Sequence, residues 1–142
     1  MSTAPEASGE PSRIEFPIVS EADVLRARRS VRELAQELGF GTTDLTIIAT
    51  AVSEITRNIV NYATRGHISI EPARDRGRAG VTVRARDGGP GIDDLDLAMQ
   101  DGFSTGRSLG LGLPGARRLM DEFEIVSTVG EGTTVTMTKW RR

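Results

Sequence analysis

HISIEPARDRGRAGVTVRARD, residues 67–87, alternates apolar and polar side chains at both ends and breaks the alternation in the middle. Residues 67–72 and 81–87 each carry the period of two that a half-buried strand requires, and ARDRGRAG (73–80), charged and glycine-bearing, reads as the turn between them. The segment is an antiparallel hairpin whose second strand closes on a lone aspartate, Asp87. The loop Gly88-Gly89-Pro90-Gly91 follows. A second hairpin is read in EIVSTVGEGTTVTMTKW (124–140), where alternating runs flank Gly130 and Gly132. IEFPIV (14–19) supplies a fifth strand, placed at an edge because Pro17 has no N–H to give to a ladder.

Helices fill the space between these strands. SEADVLRARRSVRELAQELGF (20–40) opens on Ser20 with Asp23 three residues on, the spacing of a capping box, and Gly39 marks its C-terminal stop. TTDLTIIATAVSEITRNIVNYA (42–63) repeats apolar residues at 45, 48, 52, 55, 59 and 62, which predicts one long helix packed on a core. After the glycine loop come a short helical piece, IDDLDLAMQDG (92–102), and the polar stretch FSTGRS (103–108). GLGLPGARRLMDEF (110–123) then reads as a helix that tolerates Pro114 early and buries Leu113, Ala116, Leu119, Met120 and Phe123. Three helices of real length and about five strands, with both hairpins antiparallel, predict an α/β two-layer sandwich: a mixed, largely antiparallel sheet with helices on one face. A doubly wound nucleotide fold is excluded, since strands do not alternate one-for-one with helices and neither GxxxxGK[ST] nor a strand-linked GxGxxG occurs.

Composition narrows the function classes. The 142 residues suit one domain, expected over 13–142, with the Ser, Pro, Glu, Ala and Gly-rich residues 1–12 as a flexible tail. A net charge of −2 offers no basic surface for nucleic acid or anionic lipid. The absence of cysteine removes disulfides, thiolate metal sites and cysteine nucleophiles. With no leader-like start and no apolar run long enough to span a membrane, the expectation is a cytoplasmic protein with no membrane partner.

The chemistry-bearing groups are individually modest. Glu54 and Asn58, four apart, share a helix strip away from the apolar stripe, which is equally the pattern of a solvated face. Asp87 with Gly89 and Gly91 has the composition of any turn. Gly110 and Gly112 at a helix start are a tight turn or a place where bared N–H groups meet phosphate. Gly132-Thr133 sits in an ordinary hairpin turn.

Their order is more specific than any one of them. An E-x-x-x-N helix, a strand ending in D-x-G-x-G, a polar segment, G-x-G at a helix start and G-T between the last strands resemble the GHKL superfamily of ATP-binding domains, with its Bergerat-type fold. ELGFGT (37–42), SEITRNI (53–59), DGGPGI (87–92), DGFSTGRSLGLGLPGARRLMDEF (101–123) and the terminal KW resemble most the RsbT-type serine/threonine kinases of bacterial stress-response switches. The resemblance implies that Asp87 accepts a hydrogen bond from the adenine amino group, that Gly89 and Gly91 let backbone approach the base, and that Thr133 supports it directly or through a water. It implies that Asn58 holds Mg²⁺ on the ATP phosphates and that Glu54 is the general base toward a substrate serine. Gly110 and Gly112 would bring a helix N-terminus to the phosphates. Residues 102–109, including Ser104, Thr105 and Arg107, would form a short lid.

The function so implied is an ATP- and Mg²⁺-dependent serine/threonine protein kinase of a stressosome partner-switching module. It would phosphorylate a STAS-domain protein and activate a PP2C-type phosphatase by binding it. An anti-sigma factor kinase, and a nucleotide-gated binding module with little phosphotransfer, are the alternatives. His67, on a predicted strand, is expected to be an ordinary exposed residue, and Trp140 to cover the sheet edge or join an interface.

Overall fold

The computed structural model describes residues 13–63, 65–92, 99 and 112–142. The proposed tail, most of the short piece 92–102, the lid residues Ser104, Thr105 and Arg107, and Gly110 lie outside them. The elements in chain order are β1 (Ile14–Ile18), α1 (Glu21–Glu37), α2 (Thr42–Asn58), a π-helical turn (Ile59–Ala63), β2 (Gly66–Asp75), β3 (Arg78–Asp87), α3 (Leu113–Leu119), β4 (Glu122–Thr128) and β5 (Gly132–Trp140). The strands form one sheet in the order β1-β2-β3-β5-β4. Every pairing in it is antiparallel, where the sequence left room for a mixed sheet. β1, with Pro17, is an edge as read.

Alternation decides which way each strand faces. Phe16, Ile18, Ile68, Ile70, Val81, Val83, Ala85, Val135 and Met137 are buried and form one core with the helices. Among the alternate positions Glu15, Arg84 and Arg86 are exposed, whereas Ser69 and Thr138 are buried. Within α2 the 3-4 spacing buries Leu45, Ile48, Val52 and Ile55 against that core, each side chain contributing roughly 1.5–3 kcal/mol. The polar residues buried on α2 are satisfied locally: Ser53 donates to the Ala49 carbonyl at 2.9 Å and Thr56 to that of Val52 at 2.8 Å.

The helix ends follow capping chemistry. Asp23 accepts hydrogen bonds from the N–H groups of Val19 (2.8 Å) and Ser20 (3.2 Å), fixing the start of α1. At the other end Gly39 takes φ +92°, so that its N–H reaches the Gln36 carbonyl and that of Phe40 reaches Ala35, the paired bonds of a Schellman motif.

Three boundaries differ from the sequence reading. The β2–β3 ladder continues to Asp75 and Arg78, so the connection is only Arg76-Gly77, both at positive φ, rather than all of 73–80. A two-residue turn of that hand matches the strand twist, so the charged flanks stay in the ladder. The long helix yields at Ile59 to a wider π turn, from which Tyr62, partly buried, still packs against the core and also lines the cleft described below. The last helix stops at Leu119, because Met120 is extended (φ −101°, ψ 158°) and Asp121 donates its N–H to the Thr138 carbonyl. Phe123 therefore packs from β4, not from a helix.

His67 is a half-exposed residue of β2, as expected, 3.8 Å from Glu15. Trp140 is 6% exposed and lies over Gly80, its directly paired neighbour. Its indole N–H donates to Glu122 at 2.8 Å, and the Arg78 guanidinium stacks on its ring.

Candidate functional site

Where α2 runs out into the π turn, the chain stands away from the ends of β3 and β5 and leaves a cleft of about 490 Å³. Its floor is the Ala85–Val135 pair, two residues directly opposed across β3 and β5. The small side chain at 85 leaves room above it. Ile55, Ile59 and Tyr62 form one apolar wall, Leu113 at the start of α3 another, and Pro90 and Ile92 of the glycine loop the rim. Apolar walls with few polar groups among them are the character of a small-molecule pocket.

The polar groups converge at one end. Asp87 and Thr133 form the next opposed pair beyond Ala85 and Val135, so their side chains project from the same face of neighbouring strands. Both line the cleft, and Asn58 enters it from the last residue of α2. Asp87 is held in place by its own loop, its Oδ1 accepting the Gly89 N–H at 2.9 Å.

Glycine is required at several of these positions by close packing. A Cβ on Gly89 would stand 2.7 Å from that of Ala63, so the loop can lie against the π turn only without a side chain there. Gly91 has φ +79°, and a Cβ would come 2.5 Å from the Thr128 carbonyl oxygen. These glycines thus fit the loop between the π turn and the β4–β5 hairpin. Gly130 donates its N–H to the Pro90 carbonyl at 2.8 Å, tying loop and hairpin together.

Glu54 lies one helical turn before Asn58, half-buried, and outside the cleft lining. Its carboxylate stands against Gly112, the left-handed residue (φ 70°) that opens α3; a Cβ there would collide with it. The structure therefore brings Asn58, Asp87, Gly91 and Thr133 to one cleft, with Gly89 at its border, and sets Glu54 and Gly112 together beside it. Among the described residues, no group of three or more His, Asp or Glu side chains is arranged to hold a metal by itself.

Tyr62 and Ser127 were not singled out from sequence. Tyr62, the only tyrosine, reads as one more member of the helical stripe, and nothing local announces the π turn. Ser127 carries a legible signal: it shares parity with Phe123 and Ile125 on β4, so it is a polar residue on the inward face. Its Oγ accepts the Ile92 N–H at 2.8 Å and lies 2.8 Å from Thr133 Oγ1 and 3.2 Å from the Gly132 carbonyl oxygen.

Known proteins share this arrangement. Residues 19–139 match the histidine kinase-like ATPase domain family. The chain is 52% identical over 125 residues to serine/threonine-protein kinase RsbT of Bacillus subtilis (strain 168), covering 88% of this chain and 94% of that protein. It is 36% identical over 121 residues to the anti-sigma F factor of Caldanaerobacter subterraneus subsp. tengcongensis, covering 80% of this chain and 82% of that one. The crystal structure of the RsbU and RsbW domains of Rv1364c from Mycobacterium tuberculosis superimposes with a TM-score of 0.60 at 24% identity, over 93% of this chain. The present chain spans about a third of that longer one (33%), and the likeness is one of fold. No helix of the described residues is long and apolar enough to cross a membrane. With the family match over nearly all of its folded length and an RsbT kinase at 52% identity, the chain belongs to the histidine kinase-like ATPase domain family, in the group of RsbT-type serine/threonine-protein kinases.

Proposed function

We propose that the protein is the serine/threonine kinase of a stressosome partner-switching module, taking the γ-phosphate of Mg·ATP to a serine or threonine of a STAS-domain protein and activating a PP2C-type phosphatase by docking on it. One observation carries the nucleotide reading: Asn58, Asp87 and Thr133, contributed by three separate elements, line a single apolar-walled cleft. Adenine would lie over Ala85 and Val135 with its amino group toward Asp87, which as a carboxylate can only accept. Gly89 and Gly91 would keep the rim low enough for the base to enter beside the backbone.

The phosphates would leave the cleft toward Asn58 and Gly112. An amide oxygen is a fitting ligand for Mg²⁺, which takes one or two protein oxygens and completes its octahedron with phosphate and water. Mg²⁺ would neutralise charge on the transferring phosphoryl group. Glu54, a turn away from Asn58 and against Gly112, would take the proton from an incoming hydroxyl as it attacks in line. Gly110 and the residues 102–109, with Ser104, Thr105 and Arg107, keep their proposed places at the phosphates and in the lid.

The similarity to anti-sigma F factors supports an alternative within the same class, a kinase that also sequesters a sigma factor. A nucleotide-gated binding module is the alternative outside it, and the position of Glu54 favours the enzyme. The test is transfer from labelled ATP to the STAS-domain proteins encoded beside this chain, with Glu54→Gln as control. Wild type should yield phosphoserine or phosphothreonine, and Glu54→Gln should lose on the order of 10²–10⁴-fold in rate while binding ATP normally. ATP binding with no transfer to any cognate partner would favour the binding module. Transfer by Glu54→Gln at the wild-type rate would remove Glu54 from the chemistry.

A further inference from the structure

We infer that Ser127 is a specificity-determining positioning residue: it fixes the direction of the Thr133 hydroxyl proton and thereby makes the end of the cleft select a 6-amino over a 6-oxo purine. The inference rests on the reading of the cleft as the nucleobase pocket.

Ser127 Oγ has three polar neighbours: the Ile92 N–H at 2.8 Å, the Gly132 carbonyl oxygen at 3.2 Å and Thr133 Oγ1 at 2.8 Å. The amide can only donate and the carbonyl can only accept. A serine hydroxyl has one proton and two lone pairs. All three contacts are hydrogen bonds in just one arrangement: Ser127 gives its proton to Gly132, and accepts from both Ile92 and Thr133. The opposite direction, Ser127 donating to Thr133, sets the Ser127 oxygen and the Gly132 carbonyl lone pair to lone pair at 3.2 Å, with one fewer bond. In a half-buried network a missing partner is costly, so the saturated arrangement prevails.

Thr133, having given its proton to Ser127, presents only lone pairs to the cleft. Its directly opposed neighbour is Asp87, also an acceptor. Two acceptors on one rung complement an exocyclic amine, which carries two N–H groups, and the water such an amine binds. A 6-oxo purine in the pose of adenine sets its O6 at the end of the cleft between Asp87 and Thr133, lone pairs against lone pairs at both. Without Ser127, Thr133 is free to rotate and donate to that oxygen. The discrimination therefore depends on a residue that does not line the cleft.

The test compares ATP with ITP, its 6-oxo counterpart, by calorimetry on the full chain in Mg²⁺. Ser127→Ala should lower the ATP:ITP affinity ratio by roughly three- to tenfold, the worth of one neutral hydrogen bond, and Ser127→Thr, which keeps the hydroxyl, should restore it. A strap that merely holds the loop to the hairpin would weaken both nucleotides alike and leave the ratio unmoved, which would overturn the inference. Thr133→Val guards against a poorly folded Ser127→Ala: it should itself lower the ratio, and adding Ser127→Ala to it should change the ratio no further. A further fall in the double variant would also refute the relay. Asp87→Ala separates this from the larger reading. If it weakens ATP while Ser127→Ala leaves the ratio intact, only the relay fails; if it leaves ATP affinity unchanged, the pocket itself is misassigned.

Discussion

Replacing Gly112 by alanine should uncouple chemistry from nucleotide binding. Gly112 holds φ 70°, a conformation that costs a residue with a Cβ roughly 1–2 kcal/mol. In a domain of this size that corresponds to a Tm lower by about 3–8 °C, leaving the protein folded at room temperature. The larger consequence is local. The new methyl would occupy the place of the Glu54 carboxylate, which must swing aside by about an ångström or more. A displacement of that size at a reacting group costs on the order of 10²-fold in rate. The three atoms nearest to the new methyl all belong to Glu54, so although Gly112 also borders the path proposed for the phosphates, affinity for ATP should fall by no more than about tenfold, or 1.4 kcal/mol. Initial rates of transfer to the proposed STAS-domain substrate, measured beside calorimetric ATP affinities, give the two numbers. A double-mutant cycle sharpens them: in a Glu54→Gln background, Gly112→Ala should remove no further rate, since the group it displaces is already inert. Wild-type transfer rates in Gly112→Ala, or a full additional loss in the double variant, would refute the idea that this glycine serves the placement of Glu54.

Asp87→Ala should weaken ATP by roughly ten- to a hundredfold, the loss of a hydrogen bond to a charged acceptor, in a protein that calorimetry and far-UV circular dichroism find folded. Asn58→Ala should erase most of the Mg²⁺ dependence of ATP affinity, seen as converging titrations with and without the ion, and should lose transfer with it. Gly80→Ala is a stability prediction remote from the cleft. Its Cβ would lie 2.5 Å from the Trp140 ring and 2.6 Å from the Lys139 carbonyl oxygen, so the urea midpoint should fall by the equivalent of about 1–3 kcal/mol while ATP affinity of the folded protein is unchanged.

The parts of the fold that could be read from sequence are those set by periodicity and capping. The alternation in 67–72 and 81–87, the 3-4 spacing along α2, the Ser20–Asp23 start and the Gly39 stop are local signals, and each has its expected structural counterpart. What escaped depends on contacts remote in sequence. The charged flanks of Arg76-Gly77 resemble a loop until a ladder claims them. The helix through Asn58 reads as continuous until packing widens it into a π turn, and Met120 leaves α3 for the extended backbone that leads into β4. The site divides in the same way. Asp87 and the glycines announce a loop, whereas the pairing of Asp87 with Thr133 and the tether through Ser127 need the β3–β5 and β4–β5 registers, which no local pattern prints. Gly91 likewise meets a packing demand that no local pattern prints, since its missing side chain makes room for the Thr128 carbonyl.

Chemical-shift mapping of the isotopically labelled chain with Mg·ATP tests most directly whether this cleft is the nucleotide site. The account predicts saturable shifts concentrated at the ends of β3 and β5 and around the π turn, at Ala85, Asp87, Gly89, Thr133 and the Asn58 side-chain amide, which in Asp87→Ala saturate only at roughly ten- to a hundredfold more nucleotide. Saturable shifts confined instead to the opposite, polar face of the sheet, around Ser69, Arg84 and Arg86, would contradict it.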